Sequence, residues 1–345
     1  MDIEADRTGA ARLPTLADVA RHAGVSTATV SRCLNDPDRV NARTRERVLE
    51  AVATLGYAPN FGARALAAKR TNTIGAVIPT IENAIFARGI QAFQEELGRQ
   101  GFTLLIASSG YQEKLEAEQI RNLTARGADG ILLIGYHRDP AVWDFLEARR
   151  TPALVAWAYD RGRPQPAIGF DNAAAMERLT EEVLALGHRH LGFISAHSAA
   201  NDRASERIVG ARRALAAAGL PEDALQVVET EYGIDTGAAA FDAVMQSRPK
   251  PTAVLCGNDV LAVGALRAAK AAGLSVPGNV SITGFDDIEL AMVATPALTT
   301  VHVPHREMGR RAAQILVALV RGERPPPAID LGTELRLRDT LGPAP

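Results

Sequence analysis

From residue 73 to the end of the chain, short apolar runs alternate with longer helix-forming stretches, and this alternation restricts the fold more than any other feature of the sequence. Strand-like runs fall at 74–78, 103–107, 130–134, 153–156, 191–194, 253–255 and 280–284, and the segments between them are rich in Ala, Leu, Glu and Arg. Strands separated by helices pair in parallel, through right-handed crossovers that cover both faces of the sheet. About 270 residues of this pattern exceed one comfortable sheet, so the expected core is α/β, with two Rossmann-like lobes of parallel sheet. A ligand then sits beyond the carboxyl ends of the strands, in a cleft between facing lobes. The candidate liners follow strands: Asn83 and Phe86 after the first, Ser108 and Ser109 after the second, Trp157 and Tyr159 after the fourth, Asn258 and Asp259 after 253–255, and Asp286 and Asp287 after 280–284.

The first 70 residues differ in charge from this body. The chain of 345 residues has a formal net charge of -2, yet residues 11–70 hold ten Arg or Lys against five Asp or Glu. A small basic module therefore precedes a mildly acidic body, a distribution suited to meeting a polyanion at one end; a merely solvated basic face fits the charge alone equally well. Mean hydropathy is -0.03, no apolar run is long enough to cross a bilayer, and the first ten residues are acidic without a hydrophobic stretch. The expected compartment is the cytoplasm. Cys33 and Cys256 sit in no ligand cluster, so neither a disulfide framework nor a structural metal is expected, and no cofactor is implied.

The basic module reads as an all-α unit of three short helices. Thr15 is a good N-cap with Asp18 at the N3 position, Leu16, Val19, Ala20 and Ala23 follow at helical spacing, and Gly24 ends the run. Ser26 caps a second helix closed by Asn35-Asp36-Pro37, and a third runs from Asn41 through Val48, Leu49, Val52 and Leu55 to Gly56. Two helices joined by Ala23-Gly24-Val25, the second opening on small hydroxyl residues and an arginine, have the plan of a helix-turn-helix whose second helix enters the major groove. Ser26, Thr29, Ser31 and Asn35 suit phosphate contacts, while Thr27, Ala28 and Arg32 stand where a side chain reaches base edges. The same Ser and Thr residues also read as caps and surface polar groups.

The stretch TLADVARHAGVSTATVSRCLNDPDRVNARTRERVLEAVATLGYAPN, followed by ALAAKRTNTIGAVIP, closely resembles the DNA-binding headpiece and core entry of the LacI (lactose repressor) family. Its most specific pieces are Thr15-Leu16-x-Asp18-Val19-Ala20, Gly24-Val25-Ser26-x-x-Thr29-Val30-Ser31-Arg32 with Asn35, and Leu55-Gly56-Tyr57-x-Pro59-Asn60. Cys33 departs from the aliphatic residue usual there, but a small buried thiol packs comparably. The resemblance implies a headpiece at 13–59, to whose DNA contacts it adds Thr15, Asn41 and Tyr57, then a hinge and linker at 60–72, and a periplasmic-binding-protein-like, type I core at 73–345. In the hinge it implies that Arg64, Ala65 and Leu66 meet operator DNA, that two hinges of a dimer pair in the minor groove, and that Leu66 wedges into a base step. The other reading of Leu66 is a linker residue packed on the core.

For the core, the resemblance implies one lobe at about 73–169 plus 301–325 and another at about 170–298 plus 328–345, with three crossings near 169–170, 295–301 and 324–328. It implies effector contacts for Arg207, Asn258, Asp286 and an aromatic wall at Tyr232, beside Asn83, Phe86, Ser108 and Trp157. Asn258 is expected to face the cleft and Asp259 to cap the helix beginning at Val260. Ala156-Trp157-Ala158-Tyr159-Asp160 lacks the acidic residue of many sugar-responsive members, and Trp157 reads either as ring stacking on a ligand or as buried core or interface. His305, placed near the third crossing, is a further group within reach of the cleft, although a lone histidine also reads as structural. The implied function is a homodimeric transcription regulator, by default a repressor, whose affinity for double-stranded operator DNA responds to a small polar metabolite; a tetramer is also open. The alternatives are a cytosolic solute-binding protein and an enzyme. A complete headpiece and the missing signal segment oppose the first, and the sequence offers no GxGxxG after a strand, no phosphate loop and no GxSxG for the second.

Overall fold

The computed structural model describes residues 13–58, 70–82 and 84–345, and the chain divides into two compact units, Met1–Thr71 and Asn72–Pro345. The hinge candidates Arg64, Ala65 and Leu66, and the cleft candidate Asn83, lie outside the described residues.

The first unit is built from α1 (Leu16–Ala23), α2 (Thr27–Asn35), a 3-10 turn (Pro37–Arg39) and α3 (Ala42–Leu55). Each helix starts on the cap that its sequence supplies. Thr15 and Asp18 form a reciprocal capping box, Ser26 Oγ accepts from Thr29 N at 3.1 Å, and Asn41 Oδ1 accepts from Thr44 N at 2.9 Å. Gly24 closes α1 at φ 63°, the left-handed region that favours glycine, and the Arg47 guanidinium donates to Ala23 O, so a cation meets the C-terminal end of the helix. Val19, Ala20, Ala23, Val30, Cys33, Val48 and Ala51 make the buried core.

The second unit contains two parallel sheets with matching strand orders. β1 (Thr73–Ile78), β2 (Thr103–Ser108), β3 (Gly130–Ile134), β4 (Ala153–Ala156), β5 (Ala167–Gly169) and β11 (Ala328–Asp330) form one sheet in the order β11-β5-β4-β3-β1-β2. β6 (Leu191–Ala196), β7 (Leu225–Thr230), β8 (Ala253–Cys256) and β9 (Ser281–Thr283) form the other in the order β7-β6-β8-β9. In both, the first strand of the lobe lies inside and the second at an edge, so each carboxyl end carries a switch point where a ligand can sit. The helices follow the strands: α4 (Ala84–Arg99), α5 (Glu113–Ala125) and α6 (Pro140–Ala148) belong to the first lobe, and α7 (Asn172–Ala185), α8 (Asp202–Ala217), α9 (Ile234–Val244) and α10 (Asp259–Ala271) to the second. A short α11 (Glu289–Val293) precedes the return to lobe one, where α12 (His305–Val320) packs on α4, β3 and β4. Gly89 and Gly309 let α4 and α12 meet backbone to backbone, since a Cβ on Gly309 would overlap Gly89 O.

Two assignments at the lobe crossings need correction. The segment beginning at 328, expected in the second lobe, returns first to the sheet of the first, where Ala328, Ile329 and Asp330 pair with Ala167, Ile168 and Gly169. The third crossing therefore follows β11 instead of falling at 324–328: β12 (Glu334–Arg336) pairs antiparallel with β10 (Thr300–His302), and Thr340 O accepts from Ile282 N in lobe two. Pro325-Pro326-Pro327 suggested a crossing, but it leads into a three-residue edge strand. No helix among the described residues is long and apolar enough to cross a membrane.

Candidate nucleic-acid surface and interlobe cleft

Within the first unit, Thr27, Ala28 and Arg32 of α2 are exposed, and Arg32 makes no ion pair among the described residues. Cys33 and Val30, on the opposite side, are buried in the core, so helical periodicity alone turns Arg32 outward. The hydroxyls that opened two readings divide. Thr15 Oγ1 is held by Asp18 Oδ2 at 2.6 Å, and Ser26 Oγ by Thr29, so both act as caps. Asn41 caps α3 and remains exposed, Tyr57 packs partly on the small core, and Ser31 is partly buried. Asn35 ends α2.

In the second unit, a chain of buried polar groups joins the carboxyl ends of both sheets. Arg207, on α8 and 5% exposed, donates through Nε to Asn172 Oδ1 at 3.0 Å and through Nη1 to Gly257 O, and its Nη2 lies 3.6 Å from Asp286 Oδ1. Its guanidinium also lies over the Phe285 ring, 3.8 Å from the centroid. Asn172 Nδ2 donates to the backbone carbonyl of Trp157 in lobe one at 3.2 Å. Arg207 is therefore saturated on three sides, and Asp286 is its only carboxylate partner among the described residues.

Asp286 is the least satisfied group of this chain. It is 1% exposed, neither carboxylate oxygen has a hydrogen-bond partner among the described residues, and its φ of 102° is strained for a residue with a Cβ. Burial pushes its pKa up to about 6, against the pull of Arg207 and Arg203. His305 Nε2 faces it at 3.9 Å. Burial drives the His305 pKa down to about 3, the Arg207 charge adding to the effect against the Asp286 backbone carbonyl, so this ring is neutral at pH 7. Asn258 Nδ2, Ser195 Oγ and Thr283 Oγ1 of the same lobe are likewise buried without a hydrogen-bond partner among the described residues.

The expected roles of Asn258 and Asp259 change places in part. Asn258 is itself the helix cap, with Oδ1 accepting from Leu261 N at 2.9 Å, while its Nδ2 has no hydrogen-bond partner among the described residues. Asp259 accepts from Thr300 Oγ1 at 2.6 Å and Ile288 N at 2.8 Å, which ties α10 to the second crossing, and burial raises its pKa. Asp287 is structural, bound by Arg338 at 2.6 Å and His302 at 2.9 Å. Trp157 is 2% exposed, donates from Nε1 to His305 Nδ1 at 3.0 Å and meets Phe86 edge-on at 5.5 Å. Phe86 and Trp157 thus stand in the core behind the polar chain. Ser108 Oγ donates to Pro79 O at 3.0 Å.

Two openings flank the chain. One, of about 470 Å³, has Tyr232 of lobe two opposite Tyr111 of lobe one, ring centroids 6.1 Å apart, with Glu82, Asn201 and Glu231 around them. The other, of about 660 Å³, is lined by Tyr136, Tyr159, Asp160, Arg161, Arg163, Arg203, Glu206 and Arg213 among others. Of the expected cleft residues among those described, Tyr232 borders the first opening and Tyr159 the second, whereas Arg207, Asn258 and Asp286 are buried. The sequence reading missed Tyr111, Asn172 and Arg203. Tyr111 follows β2 as the rule for open sheets requires, whereas Asn172 reads as an ordinary first-turn residue behind the Asp171 cap.

Comparison with known proteins agrees with these two units. Residues 15–60 match the family model described as bacterial regulatory proteins, lacI family, and residues 180–341 match the periplasmic binding protein-like domain. The chain is 34% identical over 329 residues to the HTH-type transcriptional regulator GntR of Pseudomonas aeruginosa, covering 95% of each chain. It is 34% identical over 333 residues to the HTH-type transcriptional repressor PurR of Vibrio cholerae, covering 95% of this chain and 98% of that one. Among solved structures it is similar to the lac repressor dimer bound to operator and the anti-inducer ONPF (TM-score 0.84, 28% identity, 95% and 99% covered). A transcriptional regulator CelR–cellobiose complex also aligns, with TM-score 0.70 and 30% identity over 95% and 99% of the two chains.

Proposed function

The chain belongs to the LacI family of bacterial regulatory proteins, as a DNA-binding transcription regulator and not an enzyme, and on that premise we propose a ligand-gated repressor that works in the cytoplasm as a homodimer. In this reading the headpiece at 13–59 binds a pseudo-palindromic operator, 60–72 is the hinge in which Arg64, Ala65 and Leu66 meet the minor groove, and 73–345 binds effector and partner protomer. Ser26, Thr29, Ser31 and Asn35 position the backbone, and Thr27, Ala28 and Arg32 read bases, with Thr15, Asn41 and Tyr57 at the margins. The effector is a small polar metabolite held between Arg207, Asn258 and Asp286 with Tyr232 as the wall; Asn83, Phe86, Ser108 and Trp157 complete its surroundings.

The observation that carries the cleft assignment is the Asp286 carboxylate, buried, facing the Arg207 guanidinium at 3.6 Å but without a hydrogen bond on either oxygen among the described residues, and strained at φ 102°. A group so costly to bury is kept where a ligand completes it. Effector selects one lobe arrangement, and because DNA and effector favour different or the same arrangements, their affinities are reciprocally coupled. The test is binding of purified protein to genomic fragments, then titration of metabolites suggested by genes beside the bound sites. Enrichment of a palindrome whose occupancy shifts with one metabolite supports the reading, and the direction of the shift gives its sign. Absence of enrichment under every condition refutes it.

A further inference from the structure

Trp157, His305 and Asp286 form a directed contact between the lobes whose chemistry is set by one hydrogen bond. Indole Nε1–H is a donor only, so the 3.0 Å bond from Trp157 to His305 Nδ1 requires that nitrogen to be the acceptor. A neutral imidazole whose Nδ1 accepts carries its proton on Nε2. That Nε2 points from lobe one at Asp286 of lobe two, whose Oδ1 is 3.9 Å away, too far for a hydrogen bond. Both atoms are buried without a hydrogen bond among the described residues, Oδ1 facing the Arg207 guanidinium at 3.6 Å and the His305 ring also facing the Asp286 backbone carbonyl. Trp157 is itself held in place: its φ is 62°, its ring packs on Phe86 and against Gly89, and its carbonyl accepts from Asn172.

We propose that Trp157 is a positioning residue that fixes His305 as an Nε2–H donor facing Asp286, and that the pair together selects a neutral hydroxyl of the effector. This rests on the cleft being the effector site. A single hydroxyl oxygen can accept from His305 and donate to Asp286 at once. With bonds of about 2.9 and 2.7 Å and a tetrahedral angle at the bridging oxygen, the two atoms must stand roughly 4.6 Å apart, so occupancy widens the present gap by about 0.7 Å. A carboxylate or phosphate at the same point faces the Asp286 charge and lacks the proton to give it. Arg207 does not offset this, because its Nε and Nη1 are bound and its charge is already opposed by Asp286.

The full chain labelled with 15N in histidine and tryptophan tests both parts by NMR. Without any ligand, His305 is expected as the single Nε2–H tautomer, with a coupling across the bond from Trp157 Nε1 to His305 Nδ1. Trp157→Phe should lose that coupling and mix the tautomers, while His305→Gln, whose amide can offer both an acceptor and a donor, should restore an indole N–H shift characteristic of a hydrogen bond. An Nδ1–H tautomer, or an unchanged tautomer in Trp157→Phe, overturns the positioning role. The second part uses neutral hexoses and pentoses and their uronic acids as probes. A shift of the His305 Nε2 resonance with at least one neutral sugar and none of the acids supports hydroxyl selection; a shift with an acid, or with no sugar, overturns it. Because the tautomer is read on the ligand-free chain, it stands or falls separately from the effector site, whose own failure appears as operator binding that no metabolite alters.

Discussion

The exposed face of α2 and the floor of the interlobe cleft both present an arginine among small polar groups, in opposite states of solvation. Arg32 is exposed with no ion pair among the described residues, whereas Arg207 is 5% exposed and bound on three sides. An arginine that must find a polyanion keeps its donors in water and contributes nothing to the fold, so it is free to be read out by a partner. A buried one must be compensated inside the protein, and its partner Asp286 then carries part of the strain. The headpiece surface is therefore separable from stability, while the cleft is not.

The sharpest test of that contrast is removal of one charge in each region. Asp286→Ala strands the buried Arg207 guanidinium and should cost roughly 3–5 kcal/mol, against less than about 0.5 kcal/mol for Arg32→Ala. Both tryptophans, Trp143 and Trp157, lie in the second unit, so tryptophan fluorescence in urea follows that unit alone. A wild-type midpoint for Asp286→Ala would break the comparison, whereas Arg32→Ala, in the other unit, is read by amide-exchange protection of the headpiece, which should hold within about twofold. Arg207→Ala should in addition abolish the response to effector while leaving effector-free operator binding within about twofold, because no α2 residue is altered.

A second test uses pH. For Asp286 the folded pKa is raised from 3.8 to about 6, so between these values the folded state holds the extra proton and stability falls as pH rises. For His305 the folded pKa is lowered from 6.5 to about 3, so the unfolded state holds the extra proton and stability rises with pH across the same window. The two slopes oppose each other, and urea midpoints of the wild type should change little between about pH 4 and 6 on their account. His305→Phe should uncover the falling limb, about 3 kcal/mol over the window, and Asp286→Asn the rising one. A wild-type slope retained in both variants would show that the cleft is not what titrates.

The two regions also differ in how much of them could be read from the chain. Thr15, Ser26, Asn41, Gly24 and Gly56 were legible because each acts on a backbone three or four residues away, and the turn between α1 and α2 follows. In the body, alternation was enough for two parallel lobes, and position after a strand singled out Asp286 and Asn258, which the structure buries after β9 and β8. What escaped is long-range or short in length. Arg207 meets Asn172 across 35 residues and Gly257 across 50, separations that no periodicity encodes. β5 and β11 are three residues each, too brief to show a pattern, so the return of 328–330 to lobe one was invisible. The cap at Asn258 and the role of Asp259 were exchanged because adjacent acceptors offer the same local signal, and only Thr300 and Ile288, supplied by the crossing, separate them.

At the headpiece the expected effects are on specificity. Arg32→Ala should lower discrimination at the base pair it meets by about 1–3 kcal/mol, measured as the ratio of affinities for an operator and its single-base variants at fixed salt. A uniform loss across all variants, with a smaller salt slope, would make Arg32 a phosphate contact instead.

The smallest expected effect concerns Thr15, where cap and DNA contact are both open to the same hydroxyl. Oγ1 accepts from Asp18 N at 3.3 Å and donates to Asp18 Oδ2 at 2.6 Å, and Asp18 Oδ2 accepts from Thr15 N at 2.9 Å. Thr15→Ala should therefore cost about 1 kcal/mol in α1, which appears as a roughly fivefold loss of amide-exchange protection in the headpiece of the full chain. Thr15→Ser keeps the oxygen and should recover most of it. The core beneath holds seven buried residues among those described, so even this small loss reaches the whole unit, yet the tryptophan midpoint of the body should stay in place. If Thr15→Ala weakened operator binding far more than fivefold while protection held, Thr15 would belong to the DNA surface with Arg32, and the division between capping and contacting hydroxyls drawn along α1 and α2 would have to move.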